Sequence, residues 1–101
     1  MQPIIERRRA EIATLCRRFQ VRRLEVFGSA VRDDFDPARS DVDLLIEFEP
    51  DAPKTFDHYF GFKEAMEALL GRPIDFLMDG ALRNPYLRAA IEESKEVVFA
   101  A

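Results

Sequence analysis

Two aspartates separated by one residue, Asp41-Val42-Asp43, form the motif of this chain that most clearly suggests chemistry. Side chains two residues apart on a β-strand project from the same face, so the two carboxylates would lie only a few ångströms apart. Ionised carboxylates at that spacing repel each other unless a positive charge lies between them. Proteins hold Mg²⁺ with one or two carboxylates together with substrate phosphate oxygens. The motif favours a magnesium site; the alternative is a solvated carboxylate at a fraying strand end.

A third acid, Asp75, stands inside the apolar run Ile74-Asp75-Phe76-Leu77. If its strand lies beside the strand of Asp41 and Asp43, three carboxylates converge. They could then hold two metal ions around a phosphoryl group in transfer, or Asp75 could accept the proton of an attacking hydroxyl. The alternative is an aspartate that faces solvent from an edge strand.

A Gly28-Ser29 pair follows directly after a predicted strand, with eleven residues between Ser29 and Asp41. Glycine allows the backbone to approach a ligand closely, and a serine hydroxyl with the following amides can hold a phosphate. Most pairs of this kind are ordinary turns. The pair therefore indicates a phosphate site only in combination with the acids.

Hydrophobic periodicity predicts the elements that must position these residues. Apolar residues at helical spacing predict helices over 3–19, 55–70 and from 84 onward, and a short turn or helix covers 30–35. Apolar runs predict strands over 22–27, 40–48, 74–78 and 96–99, with a turn at 79–80. Alternation places one set of side chains of the second strand on a common face: Val42, Leu44, Ile46 and Phe48. The alternating order favours a layered α/β (α+β) domain with a small sheet and leaves the strand order open.

Composition limits the class of protein further. The 101 residues are expected to form a single domain, 1–101. Cys16 is the only cysteine, which excludes an internal disulfide and a cysteine-built zinc site, and its place on a helical apolar stripe predicts a core residue. No run approaches the roughly 18 unbroken apolar residues of a membrane span, and the N-terminus lacks the apolar centre of a signal peptide. We therefore expect a cytoplasmic protein without a membrane partner.

Charge is distributed unevenly along the chain. Residues 1–23 carry seven Arg against two Glu (+5), and residues 24–101 carry eight basic against seventeen acidic groups (−9), which sum to −4. An acidic surface disfavours direct nucleic-acid binding, because phosphate backbones require a basic stripe. It is compatible with a divalent cation or with a solvated acidic loop.

Three further features carry weaker functional signals. His58, the only histidine, is expected to be a packed or half-exposed residue rather than a catalyst. Four aromatic residues within seven positions cannot all face one way, so some of them could bind a partner: Phe56, Tyr59, Phe60 and Phe62. The run 33–36 lacks the glycine and terminal glutamate of a calcium loop and is expected at the surface.

Taken together, the runs G-S-A-V-R, S-D-V-D-L-L-I-E-F and P-I-D-F-L resemble the nucleotidyltransferase superfamily with the polymerase-β-like fold. The chain looks most like the minimal nucleotidyltransferase antitoxins that pair with HEPN-domain toxins. The likeness extends over nearly the whole chain, including L-R-N-P-Y-L-R near its end. It implies a small mixed β-sheet flanked by helices.

The resemblance also implies roles for the residues that match the family's motifs. Nucleotide-binding roles fall on Gly28, Ser29, Arg32 and Ser40. Catalytic and metal-ligating roles, with two Mg²⁺ ions and ATP as substrate, fall on Asp41, Asp43 and Asp75. Asp33 stands where the family often has glycine, which leaves the role of Arg32 open.

The function implied is magnesium-dependent transfer of AMP from ATP to a tyrosine hydroxyl of a cognate HEPN-type ribonuclease toxin, which neutralises the toxin. A domain of this size has little chain left to enclose an acceptor, so we expect another macromolecule to present it in a hetero-oligomer. One alternative is a non-catalytic antitoxin that neutralises by occluding the toxin. Another is a small-molecule adenylyltransferase, although such an enzyme would usually need an additional acceptor-binding domain.

Overall fold

A four-stranded sheet forms the centre of the fold. The computed structural model describes residues 3–27, 42–78 and 84–101, except the side chain of Leu87. Its strands are β1 (Val21–Phe27), β2 (Val42–Phe48), β3 (Ile74–Met78) and β4 (Glu96–Ala100), in the order β3-β2-β1-β4. β1 pairs antiparallel with β2 and β4, whereas β2 and β3 are parallel. The predicted small mixed sheet is confirmed, and among the described strands β3 lies at the edge of the sheet beside β2.

Four helices are described: α1 (Pro3–Glu6), α2 (Arg9–Arg18), α3 (Phe56–Leu70) and α4 (Pro85–Ser94). The Thr55 hydroxyl caps α3 by accepting from the His58 amide at 3.2 Å, and Gly71 ends that helix in the left-handed conformation (φ 68°). Asn84 precedes α4 and accepts from the Tyr86 amide at 2.9 Å. Within the described ranges, no helix is both long and apolar enough to cross a membrane. The predicted turns at 30–35 and 79–80 lie outside these ranges.

The first helix was predicted as one element over 3–19, and this prediction is wrong in detail. The chain tightens at Arg8, whose amide donates to the Ile5 carbonyl three residues back, and α2 begins at Arg9. The Arg9 guanidinium donates to the carbonyls of Val97 at 2.7 Å and Val98 at 3.4 Å on β4. The break thus coincides with hydrogen bonds from Arg9 to β4, which are long-range contacts that helical periodicity does not report.

The sheet is packed on both faces. On one face, Val42, Leu44 and Ile46 are buried against residues of α2 and α3, as the alternation predicts. Cys16 belongs to this core, and burial raises the pKa of its thiol to about 12, which fits a packing role. On the other face, Leu45 is buried against Ile91 of α4. The second face therefore also has an apolar centre, beside which the polar residues of β1, β2 and β3 lie.

Glu25 is the one charged residue that is buried among the described residues. Its carboxylate lies 3.1 Å from the ammonium of Lys95 and 3.2 Å from the Arg23 Nε, and its side chain is 4% exposed. Partial desolvation lowers the pKa of Lys95, but hydrogen bonds to Glu92 and Glu25 outweigh it and raise that pKa above its ordinary value. Lys95 is therefore charged at neutral pH, and it links central strand β1 to the junction of α4 and β4.

Lys95→Met is expected to lower the free energy of unfolding by roughly 3 kcal/mol, because it removes one partner of a buried charge pair. The loss lies at the lower end of the range for such pairs, since Arg23 still contacts Glu25. The matched control is Arg8→Met, which breaks the exposed Arg8–Glu11 pair and is expected to cost less than about 1 kcal/mol. Urea unfolding measures both values; equal losses would mean that burial adds nothing to the Glu25–Lys95 pair.

Candidate active site

Two of the three predicted acids lie side by side on neighbouring strands. Asp43 of β2 and Asp75 of β3 are register partners in the parallel ladder. Partners in such a ladder point to the same face, and neighbouring strands lie about 4.8 Å apart. The condition under which the acids were predicted to converge is thus met for Asp43 and Asp75, which we call the acid pair.

The surroundings of the acid pair differ between its two members. Asp43 is half-buried, whereas Asp75 is exposed at the edge of the sheet. The start of β3 is held by Glu67 of α3, whose carboxylate accepts from the Ile74 amide at 3.0 Å. Burial and the negative charge of Asp75 raise the pKa of Tyr59 on α3, so that phenol remains protonated near neutral pH. The acid pair therefore opens to solvent on one side and is backed by packed strands on the other.

Carboxylate oxygens from two adjacent strands form a donor set that suits a hard cation such as Mg²⁺. Asp43 also lies opposite Phe27 of β1, the residue that directly precedes Gly28 in the chain. The other predicted site residues lie outside the described ranges: Gly28, Ser29, Arg32, Ser40 and Asp41, together with Asp33. Within those ranges, no group of three or more histidine, cysteine, aspartate or glutamate residues could hold a metal ion. Two of the three acids predicted to hold the metal thus lie together in the acid pair.

Sequence reasoning did not single out a charged cavity of about 260 Å³ that shares a sheet face with the acid pair. Its floor includes Leu45, two residues from Asp43 on the same face of β2. Its walls carry Arg23 and Glu25 from β1 and Arg88 from α4. Lys95, which directly follows α4, also lines the cavity. The spacing of Arg88, Glu92 and Lys95, which places all three on one helix face, is the sequence signal that could have found it.

His58 has the structural role that the sequence predicts. Its Nε2 donates to the Phe19 carbonyl at 2.6 Å, and its ring packs at 5.6 Å from the ring of Phe19 and 5.4 Å from that of Phe48. The four aromatic residues of α3 divide as expected, since Phe62 is buried in the core and Phe56 is exposed. His58 therefore belongs to the packing of α3 on the sheet.

The sequence of this chain matches a known domain family. The family model described as a nucleotidyltransferase domain matches residues 10–98. The chain belongs to the nucleotidyltransferase domain family. The predicted enzyme class is confirmed, as is the polymerase-β-like fold expected of that class.

Two relatives narrow the group of nucleotidyltransferases that this chain resembles. It is 37% identical to protein adenylyltransferase MntA of Thermococcus cleftensis over 76 residues, which cover 75% of this chain and 74% of that protein. A solved structure described as a candidate minimal nucleotidyltransferase is 33% identical with a TM-score of 0.74, over 90% of this chain and 89% of that chain. These similarities confirm the predicted likeness to minimal nucleotidyltransferases.

A more distant structure shows the same fold. It comes from the complex of a tri-AMPylated Shewanella oneidensis HEPN toxin with an MNT antitoxin. The similarity has a TM-score of 0.65 at 11% identity, and it covers 96% of this chain and 73% of that chain. At this identity the likeness concerns the fold alone.

Proposed function

We propose that this chain is a magnesium-dependent protein adenylyltransferase of the cytoplasm. It transfers AMP from ATP to a tyrosine hydroxyl of a cognate HEPN-type ribonuclease toxin and thereby acts as the antitoxin. The observation that carries the proposal is the acid pair, which brings Asp43 and Asp75 into register on adjacent parallel strands. Membership of the nucleotidyltransferase family supports the reaction class. The name of the Thermococcus cleftensis relative supports a protein as the acceptor.

In this proposal the carboxylates of Asp41, Asp43 and Asp75 hold two Mg²⁺ ions. The bound ions would neutralise charge on the phosphate oxygens of ATP and make the α-phosphorus more electrophilic. Nucleotide-binding roles fall on Gly28, Ser29, Arg32 and Ser40. Asp75 is exposed on β3, the edge strand among the described strands, and is therefore accessible to a hydroxyl that arrives from another molecule.

Asp75 would accept the proton of the acceptor hydroxyl as its oxygen attacks the α-phosphorus. A bond then forms between the tyrosine oxygen and the α-phosphorus, and the bond from that phosphorus to the bridging oxygen of the β-phosphate breaks. Pyrophosphate leaves, and AMP remains on the tyrosine. The exposure of Asp75 matters for this role, because a fully buried carboxylate could not meet a protein-borne hydroxyl without a large rearrangement.

The test compares two labelled forms of ATP. The purified chain and its HEPN partner are incubated with Mg²⁺ and ATP that carries the label on either the α- or the γ-phosphate. We expect the α-label to become bound to the partner and the γ-label to appear only in pyrophosphate. Label from the γ-phosphate on the partner would indicate phosphoryl transfer, and no label on it from either form would refute the proposed function.

A further inference from the structure

A wide groove on the α3 side of the sheet is lined largely by aromatic and apolar side chains. Its volume is about 700 Å³, and it lies at the end of β2 and β3 opposite to the acid pair. The aromatic and methionine side chains that line it are Phe48, Phe56, Tyr59, Phe60 and Met78. We call this surface the aromatic groove.

Large apolar side chains of the aromatic groove are exposed rather than folded into the core. Phe56 is 81% exposed, Phe60 46% and Met78 37%. The ring of Phe60 stacks on Phe56 at 6.2 Å between centroids and meets Tyr59 edge-on at 5.2 Å. Exposed aromatic and methionine side chains that adjoin one another are characteristic of the centres of protein interfaces. The cluster therefore offers apolar area that folding leaves in contact with water.

The rim of the aromatic groove is acidic. Glu47 and Glu49 line the groove together with the cation Lys54, and Asp51 and Asp57 are exposed neighbours in the same segment. Residues 47–57 thus carry four acids against one cation, a net charge of −3. Arg22 offsets part of this charge, since it lies 3.7 Å from Glu47. An apolar floor within an acidic rim complements an apolar segment flanked by basic side chains.

We propose that the aromatic groove binds an apolar segment, flanked by Lys or Arg, of the partner protein that receives AMP. This proposal rests on the proposed function for the identity of the partner. A second copy of this chain does not fit the surface, because an isologous contact would bring two acidic rims together. Charge complementarity thus selects a different and locally basic protein.

The position of the aromatic groove suits a partner that must also reach the acid pair. Met78 and Asp75 lie on the same edge strand, three residues apart, which is about 10 Å along a strand. Alternation places them on opposite faces of the sheet. A partner seated in the groove would extend round β3, which is the edge strand of the described part of the sheet, to present its hydroxyl at Asp75. Binding and chemistry would then use the two faces of one strand.

The first experiment tests the surface with a defined probe. An amphipathic helical peptide built from Leu and Lys is titrated against the chain, with a peptide that has Glu in place of Lys as its counterpart. We expect the Lys peptide to bind and the Glu peptide not to. The double variant Phe56→Ser/Phe60→Ser is expected to weaken binding by at least about tenfold. Tyr86→Ser, which removes an equally exposed aromatic (85%) from α4, is expected to leave binding unchanged.

A second variant tests the rim without touching the aromatic residues. Glu49→Lys/Asp57→Lys reverses two of its charges, and we expect it to weaken binding of the Lys peptide and to favour the Glu peptide. Equal binding of both peptides by the wild-type chain, or unchanged binding by both double variants, would overturn the proposal. Thermal unfolding of each variant checks that the fold is retained.

The HEPN partner separates this proposal from the proposed function. With the groove variant Phe56→Ser/Phe60→Ser, we expect the KM for the partner to rise by about tenfold or more while kcat changes little. If the wild-type chain binds the Lys peptide through the groove but transfers no AMP, the proposed function fails and the groove remains a docking surface. If transfer occurs with the same KM in the groove variant and in wild type, the groove proposal fails and the proposed function stands.

Discussion

Asp43→Asn is expected to reduce AMP transfer by at least about 10³-fold, because a lost metal ligand removes several kcal/mol of transition-state stabilisation. The asparagine keeps the shape of the side chain on β2 but loses the charge that would hold Mg²⁺. Removal of one of two adjacent negative charges is expected to leave the melting temperature of the metal-free protein unchanged or higher. Initial rates with saturating ATP and Mg²⁺ give the effect on transfer.

The control for this variant is Glu64→Gln, an exposed acid on α3 that belongs neither to the acid pair nor to the lining of the aromatic groove. It removes the same charge and is expected to keep wild-type rates. Transfer by Asp43→Asn within about tenfold of wild type would contradict a ligand role for Asp43. A melting temperature that falls sharply without Mg²⁺ would instead indicate that Asp43 has a structural role.

Asp75→Asn is expected to stop transfer while ATP binding persists. The triphosphate and its metal would still be held through the other predicted residues, whereas the acceptor hydroxyl would have lost its base. General-base assistance contributes about 10²–10⁴-fold, so a loss in this range favours a base role and a larger loss favours a metal-ligand role as well. Comparison of ATP affinity with the transfer rate separates binding from chemistry.

Asp75 is exposed, so its replacement by an amide of the same shape is expected to cost little stability. Glu11→Gln, an exposed acid on α2 far along the chain from the site, is the control for the loss of one negative charge. If Asp75→Asn transfers AMP at close to the wild-type rate, the third acid does no more than face solvent at the sheet edge. The role that the family resemblance implies for it would then be wrong.

The local sequence pattern predicted those element boundaries that depend only on residues adjacent in the chain. The limits of β3 and the end of α3 at Leu70 agree with expectation, since each follows from local turn and capping chemistry. The start of α3 differs by one residue, because Thr55 caps the helix rather than forming its first residue. The alternation of β2 likewise identified the buried face of Val42, Leu44 and Ile46. It did not predict the burial of Leu45, because that depends on α4 covering the second face.

Long-range pairing decides the features that the sequence left open. The register that sets Asp43 against Asp75 joins strands separated by the whole of α3, so no local spacing contains it. The break before α2 and the burial of Glu25 also depend on long-range contacts. Val97 lies 88 residues from Arg9, and Lys95 lies 70 residues from Glu25. The aromatic groove itself was not predicted: the sequence indicated that some of the four aromatics of α3 could bind a partner, but not which of them the sheet covers.

The most direct test of the central claim asks whether neutralisation is catalytic. The HEPN ribonuclease is incubated with this chain at a molar ratio of about 20 to 1, with and without ATP and Mg²⁺, and its RNA cleavage is followed over time. A transferase with a typical kcat of about 1 s⁻¹ or more would modify the whole pool of ribonuclease within minutes. The proposed function predicts that cleavage is progressively lost only when ATP and Mg²⁺ are present, and that Asp43→Asn does not cause this loss. Neutralisation that requires equimolar chain and proceeds equally well without ATP would contradict it and indicate an antitoxin that acts by occlusion.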